Sequence, residues 1–261
     1  MTRTFLAELV FDGREFAGWQ RQPNERTVQQ ALEQVLERLA GARVAAHAAG
    51  RTDAGVHSEG LAVSFAVPAQ WQEARLSAAL NALLPGDCWV RTLRPVPAGF
   101  HARKSALHRR YRYVVGTDAA ARSPFRHPYE WALCRPLNGE LLTHAADQIA
   151  GTHDFEAFSV RGQQKAHHRC TVHLARWVER PTDAGFDFHV AADRFLHHMV
   201  RMLVGTMVDI AQERRPPGDM VRLLELRDNQ QTSAPAPPQG LYFVRAEYPA
   251  SALAAPTEDA P

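Results

Sequence analysis

The 261-residue chain lacks the features of membrane and secreted proteins. Its uninterrupted apolar stretches stay below the ~18 residues that a membrane-spanning helix needs, which argues against a helical membrane protein. The N-terminal stretch carries Arg3, Glu8 and Asp12, so an apolar signal-peptide centre is not expected there. These absences predict a cytoplasmic protein that does not interact with membranes.

Cysteine and metal-binding motifs are also sparse. Cys88, Cys134 and Cys170 lie far apart and form no C-x-x-C pair, so neither a disulfide framework nor a cysteine-ligated zinc site is expected. The histidines include the doublets His167-His168 and His197-His198, but the chain has no H-E-x-x-H motif. We therefore do not expect a metal site.

The net charge is only +2, yet the basic residues are unevenly distributed. Residues 103–135 contain eight lysines and arginines against Asp118 and Glu130, and residues 157–178 contain no carboxylate. Local positive surfaces of this kind attract polyanions such as nucleic acid even when the whole protein is nearly neutral. The alternative is a set of ordinary solvated faces.

Local patterns predict alternating strands and helices along the whole chain. Alternating apolar residues indicate strands at "TFLAELVF", at residues 61–67 and at "GLYFVRAEY". Thr27 and Gln30 have capping-box spacing, and Gly41 ends the helix that follows them. Asn138 is expected to cap a helix in the second half.

Hairpin strands mixed with long crossover helices predict an α+β fold, with helices covering one face of largely antiparallel sheets. Because the two halves have similar elements, we expect two related domains, residues 1–104 and 105–250. The alanine- and proline-rich residues 251–261 are expected to form a mobile tail. Ligand sites favour domain interfaces, so an active-site cleft is expected between the two domains.

The stretch "AGRTDAGVHSEG" places Arg51, Asp53 and His57 in one glycine-rich loop between two predicted strands. In a functional interpretation, Asp53 is a nucleophile or general base that a nearby arginine keeps ionised. In a structural interpretation, Asp53 is a turn residue and Gly55 supplies a positive φ. Spacing alone leaves both interpretations open.

A second motif, "RFLHHMVRMLVGTMV", predicts a strongly apolar helix over residues 195–212. Arg194, His198 and Arg201 have helical spacing and would form one basic stripe. A cation in such apolar surroundings is costly unless it is paired, so a carboxylate such as Asp53 or a phosphate would suit Arg201.

A third motif, "RRYRY", sets Tyr111 and Tyr113 among arginines on a predicted strand. Aromatic rings beside arginines suit a stacked base next to a phosphate backbone, although inward-facing tyrosines are equally typical of a core. The segment "FAGWQRQP" near the N-terminus looks like an exposed aromatic loop.

Seven ordered blocks of the chain resemble those of the A-type tRNA pseudouridine synthases, which isomerise uridines in the anticodon stem-loop. They extend over residues 5–248 and read "FDGREFAGWQRQ", "TVQQALE", "GRTDAGVH", "FHARKSALHRRYRY", "GTHDFEAFS", "FLHHMVRMLVGT" and "GLYFVRAEY". The chain departs from the family pattern at Phe11, where tyrosine is usual, and at Lys104, where an aromatic residue is usual.

The resemblance implies a role for four residues. Asp53 would be the catalytic nucleophile or base, and Arg201 would be its cationic partner. Tyr111 would stack near the target uracil, and Arg51 would help to displace that base. The resemblance also implies two pseudo-symmetric α/β domains with a basic cleft between them, tRNA as substrate, a homodimer, and catalysis without metal or cofactor.

Two other functions remain open from the residues alone. A non-catalytic RNA-binding protein would explain the arginines and tyrosines, but it gives Asp53 no purpose. A metal-dependent hydrolase would use Asp53, His57 and the histidine doublets, and it would lose activity in the presence of a chelator.

Overall fold

The structure is a computed structural model that describes residues 1–160 and 167–254. Its strands, numbered along the chain, are β1 (Thr2–Phe11), β2 (His47–Ala48), β3 (His57–Pro68), β4 (Cys88–Val96), β5 (His108–Gly116), β6 (Trp131–Ala132), β7 (Gly151–Asp154), β8 (Arg169–Glu179), β9 (Gly185–Ala192) and β10 (Leu241–Glu247). Its helices are α1 (Val28–Ala40), α2 (Glu73–Leu83), α3 (Gly139–Asp147), α4 (Met199–Ala211), α5 (Asp219–Leu226) and α6 (Ala250–Leu253). This content confirms the predicted α+β class.

The chain divides into two compact units, Met1–Arg109 with the chain from Phe243 onward, and Arg110–Tyr242. The division falls close to the predicted boundary after residue 104. The last strand was predicted to belong to the second domain, but its residues from Phe243 group with the first unit, because β10 is hydrogen-bonded to β3. The pseudo-symmetry of the two halves stays a prediction.

The first unit is a sheet with the strand order β4–β1–β3–β10 and two helices packed on it. Strand β1 pairs antiparallel with both β3 and β4, and α1 and α2 contact each other as well as the sheet. The predicted ends of α1 are confirmed. The Thr27 hydroxyl accepts the Gln30 N–H at 3.3 Å, and Gly41 ends the helix with φ 70°.

The second unit is a sheet with the strand order β5–β9–β8–β7, with α3, α4 and α5 as its longer helices. Strands β8 and β9 form an antiparallel hairpin, and α3 packs against β8 and α4. The predicted cap of α3 is confirmed, because the Asn138 side chain accepts the N–H groups of Glu140 and Leu141. The fully buried Tyr113, Phe188 and Leu203 lie in its core.

The long helix predicted over residues 195–212 is shorter than expected. It begins at Met199, because His198 adopts a left-handed conformation with φ 63° that interrupts the helical backbone. Arg194 and His198 therefore precede α4, and the predicted basic stripe of Arg194, His198 and Arg201 on one helix face is wrong.

Two other predictions concern the ends and gaps of the described chain. The predicted tail of residues 251–261 begins inside helix α6, and residues 255–261 lie outside the described residues. Arg161 and Lys165 of the basic stretch lie outside them as well. No helix within the described ranges is both long and apolar enough to cross a bilayer.

Candidate active site

Asp53 sits at the first position of a tight turn that ends at Val56. The Val56 N–H donates to the Asp53 carbonyl at 3.2 Å, and Gly55 adopts φ 77° at the third position of the turn. A positive φ at this position favours glycine, so the structural role predicted for Gly55 is confirmed. The turn holds the Asp53 backbone in one conformation. Asp53 is half-buried, and Arg51 is exposed in the same loop.

The segment Phe16–Trp19 clamps this turn from the side through its backbone. The Trp19 N–H donates to the Thr52 carbonyl at 3.0 Å, and the Gly55 N–H donates to the Phe16 carbonyl at 3.2 Å. Phe16 and Trp19 are only 2% and 3% exposed, so the predicted exposed aromatic loop is wrong. The two rings are buried as anchors, which leaves the backbone between them to hold the turn.

Gly18 is the point of closest approach between this clamp and the turn. Its φ is 86°, and a Cβ at this position would lie 2.5 Å from the Thr52 carbonyl oxygen. Both the conformation and the contact therefore require glycine. The sequence alone does not show which part of the backbone approaches this glycine, whereas the fold shows that it is Thr52.

His57 belongs to the start of β3 and has a structural contact. Its ring is 2% exposed, and its Nδ1 accepts the Gly13 N–H at 3.1 Å. Nδ1 therefore carries no proton in this arrangement, although it also lies 3.4 Å from an Asp12 carboxylate oxygen. The His57 ring thus ties the end of the turn to the loop after β1.

Tyr111 and Tyr113 point to the same, inner side of β5, as their spacing predicts. Tyr111 is 7% exposed, and its ring meets the Phe195 ring edge-on at 4.9 Å. Tyr113 is fully buried, and its hydroxyl donates to the Pro237 carbonyl at 2.7 Å. Burial raises the pKa of Tyr113 well above its ordinary value, although the positive charge of Arg201 acts to lower it. The phenol therefore keeps the proton that it donates.

Arg201 is held by residues 228–240, which we call the strap. The Arg201 Nε donates to the Ala236 carbonyl at 2.7 Å, and the Ala236 N–H donates back to the Arg201 carbonyl at 2.9 Å. The next residue of the strap, Pro237, accepts the Tyr113 hydroxyl. The strap therefore fixes the base of the Arg201 side chain and Tyr113 with two neighbouring carbonyl groups.

An ionic network fastens the strap to the rest of the second unit. Arg215 donates to the Ser233 hydroxyl at 2.9 Å and to the Gln231 carbonyl at 2.5 Å, and it is paired with the buried Asp219. Burial acts to raise the pKa of Asp219, but hydrogen bonds from Arg222 and Arg215 outweigh it and lower that pKa. The carboxylate stays ionised and keeps Arg215 in place.

Arg112, one of the arginines of "RRYRY", is occupied inside the protein. Its guanidinium lies 3.1 Å from an Asp187 carboxylate oxygen and 4.7 Å from the centre of the Tyr242 ring. These contacts favour a structural role for Arg112 over a phosphate contact.

Asp154, Glu156 and His168 form a group that could hold a metal, with ligand atoms all within 4.8 Å of one another. The two Asp154 oxygens have other contacts, because one accepts the Glu156 N–H and the other lies 3.7 Å from Arg227. A half-buried Asp154 with such contacts and an exposed Glu156 do not require an ion.

We predict that Gly18→Ala destabilises the fold more than Gly41→Ala. Both glycines are left-handed, so alanine strains either backbone by about 1–2 kcal/mol. Only Gly18 also meets a carbonyl, which raises the expected loss to about 2–5 kcal/mol in the free energy of unfolding in urea. A Cβ at Gly41 has nothing within 4 Å, which makes it the matched control. Equal losses would contradict the close approach of Gly18 to the turn.

We predict that Gly205→Ala loosens the strap from α4. A Cβ at this position would lie 2.2 Å from the Ala234 carbonyl oxygen, so the strap backbone must shift. Hydrogen exchange of the Ala236 amide should then be faster than in the wild type. The control is Gly139→Ala at the start of α3, where the nearest atom is an aromatic carbon at 3.5 Å. Unchanged protection of the Ala236 amide in Gly205→Ala would contradict the role of this contact.

Comparison with known proteins gives matches along most of the chain. The family model described as tRNA pseudouridine synthase matches residues 8–103 and 145–249. These segments contain Arg51, Asp53 and Arg201, whereas Tyr111 lies between them.

Individual relatives agree with the family model. A tRNA pseudouridine synthase A of Klebsiella pneumoniae (strain 342) is 38% identical over 93% of this chain and 88% of its own length. The protein of the same name from Ligilactobacillus salivarius (strain UCC118) is 34% identical over 95% of this chain and 97% of its own. A solved Cbf5-Nop10-Gar1 complex aligns with 92% of this chain and 58% of its own, at 12% identity and a TM-score of 0.35, which supports no conclusion. The family model and the relatives together show that the chain belongs to the tRNA pseudouridine synthase family.

Proposed function

We propose that the protein isomerises uridine to pseudouridine in the anticodon stem-loop of tRNA, with Asp53 as the group that acts on the target nucleotide. Family membership supports the reaction, and the geometry of the Asp53 turn supports the residue. The clamp of Phe16–Trp19 holds the backbone of the Asp53 turn in one position, between the buried Thr52 and Val56. This fixed placement is the observation that carries the assignment, because catalysis depends on pre-set geometry.

The reaction breaks the N1–C1′ bond, turns the detached uracil and forms a C5–C1′ bond. The C5 hydrogen leaves as a proton, N1 takes up a proton, and nothing is oxidised or reduced, so the product is an isomer of the substrate nucleotide. Asp53 would act as a nucleophile at the sugar or as a base that removes a proton from it. Both routes require an ionised carboxylate.

Arg201 is proposed as the cation that keeps Asp53 ionised and oriented. Its Nε is already bonded to the Ala236 carbonyl, so its guanidinium has little freedom to lose on pairing. Breaking a buried pair of this kind by removing one partner typically costs about 3–5 kcal/mol. Arg201 would therefore act by positioning the carboxylate.

Tyr111 and Arg51 are proposed to handle the target base. A stacked base must leave the RNA stack before its glycosidic bond can be reached. The exposed Arg51 would occupy the space that the base leaves, and the Tyr111 ring, braced by Phe195, would stack on the extruded uracil. A rigid ring loses little conformational entropy when it binds the base.

Thr52 supplies a further sign of a polar ligand beside Asp53. Its hydroxyl oxygen is buried and has no hydrogen-bond partner among the described residues. A buried hydroxyl without a partner destabilises a protein by about 1–3 kcal/mol. A polar group of the bound nucleotide would satisfy it.

The assembly and location of the protein are also proposals. By resemblance to the family we infer a homodimer in which one tRNA touches both subunits. We place the protein in the cytoplasm, where tRNA is modified, and we expect catalysis without a metal.

The test is tritium release from tRNA that carries tritium at C5 of its uridines, since forming the C5–C1′ bond must expel that atom. We predict that Asp53→Asn lowers the release rate by at least ~10²-fold at unchanged tRNA affinity. The matched control is Asp147→Asn, which removes an exposed carboxylate at the end of α3 and should release tritium at the wild-type rate.

Each other outcome identifies what has failed. Release that survives in Asp53→Asn would mean that another carboxylate performs the reaction. A wild type that binds tRNA but releases no tritium would leave a non-catalytic RNA-binding protein. Release that a chelator abolishes would favour a metal-dependent enzyme.

A further inference from the structure

Two histidine rings stack on the surface of the first unit, close in sequence to the Asp53 loop. The exposed His47 lies on β2, and His101 lies in the loop before β5, with ring centres 4.5 Å apart and planes 20° apart. The Arg103 N–H donates to the His101 Nδ1 at 3.2 Å. In this arrangement Nδ1 has no proton, so the ring proton sits on Nε2, which is a hydrogen-bond donor.

Arg109 fastens the two segments that carry these rings. Its guanidinium donates to the carbonyls of Ala49 and Ala106, both at 3.1 Å, and to the Arg103 carbonyl at 2.5 Å. The loop is held from two other sides, by the Ser64 hydroxyl, which accepts the Ala102 N–H, and by the Tyr248 hydroxyl, which donates to the Ala102 carbonyl. The stacked pair is therefore part of a fixed surface.

The surroundings of the pair are positive. Residues 41–51 and 97–117, which contain both rings, include no carboxylate, and Arg103 and Lys104 are exposed beside the pair. Burial lowers the pKa of His101, and the neighbouring His47, Lys104 and Arg103 lower it further. Tyr248 stays uncharged because burial raises its pKa. An anion bound at this surface would offset the repulsion among these cations.

We propose that His47 and His101, with Arg103 and Lys104, form a phosphate-contact surface for tRNA that takes up a proton when the RNA binds. The proposal rests on the proposed function, since this surface would hold the RNA whose uridine is modified at Asp53. His47 lies four residues before Arg51, so this surface is on the segment that leads into the Asp53 loop. The proton adds to the His101 Nδ1, which then gives up the Arg103 N–H, and the contact with the phosphate must outweigh that loss.

The sign of the pH effect follows from this arrangement. In the free protein burial and the cationic neighbours disfavour the protonated His101 ring, whereas a bound phosphate favours it. Binding therefore takes up a proton, and tRNA affinity rises as the pH falls through the range around and below 6.5, the ordinary pKa of histidine. One linked proton changes the dissociation constant by at most about tenfold per pH unit.

We predict that His101→Asn reduces the pH dependence of tRNA binding between pH 5.5 and 8, measured with the 261-residue chain at constant ionic strength. Asparagine keeps an acceptor for the Arg103 N–H but takes up no proton. The control is His144→Asn, which removes an exposed histidine on α3 and should keep the wild-type dependence. The affinity for tRNA falls as the salt concentration rises. At pH 6, Lys104→Gln should make the slope of log affinity against log salt less steep by about 0.7–0.9, because one phosphate contact is lost.

The outcomes separate this inference from the proposed function. A wild type whose affinity does not change with pH, or a His101→Asn variant that keeps the full wild-type dependence, would overturn the phosphate-contact surface while tritium release continued. A wild type that neither binds tRNA nor releases tritium would refute the proposed function itself. Thermal unfolding of each variant at pH 6 and 8 shows whether a loss of folding, which would lower affinity at every pH, explains the result.

Discussion

The close backbone approach of Gly18 to Thr52 is the constraint on which the placement of Asp53 depends. A side chain at Gly18 would meet the Thr52 carbonyl at 2.5 Å, so the clamp and the turn come together only because that side chain is absent. The rings on either side of Gly18 are buried, and their packing holds the clamp against the turn. The backbone of the half-buried Asp53 thereby obtains a fixed position from neutral backbone groups.

The second unit places its own candidate residues by a similar means. Ala236 and Pro237 in the strap offer carbonyl groups to Arg201 and Tyr113, and a buried ion pair between Arg215 and Asp219 keeps the strap in place. Carbonyl oxygens orient a guanidinium without neutralising it. Such an arrangement suits the role proposed for Arg201 as the partner of an ionised aspartate.

The parts of the fold that local sequence could predict are those that local interactions decide. The cap at Thr27, the helix end at Gly41 and the turn glycine Gly55 each involve residues within four positions of one another. The start of α4 and the burial of Phe16 were predicted wrongly, because a left-handed His198 and a ring buried by distant residues leave no local pattern. The strap was missed for the same reason: its contacts with α4 join residues more than twenty positions apart.

Counting basic residues in the sequence overestimates the cations that RNA can reach. Arg109 uses its donors on three carbonyl groups and Arg112 pairs with Asp187, so both serve the protein itself. Arg51, Arg103 and Lys104, by contrast, are exposed in the first unit. A carboxylate that must approach RNA is repelled by phosphates. Under the proposed function, exposed cations in the same unit as Asp53 reduce that repulsion.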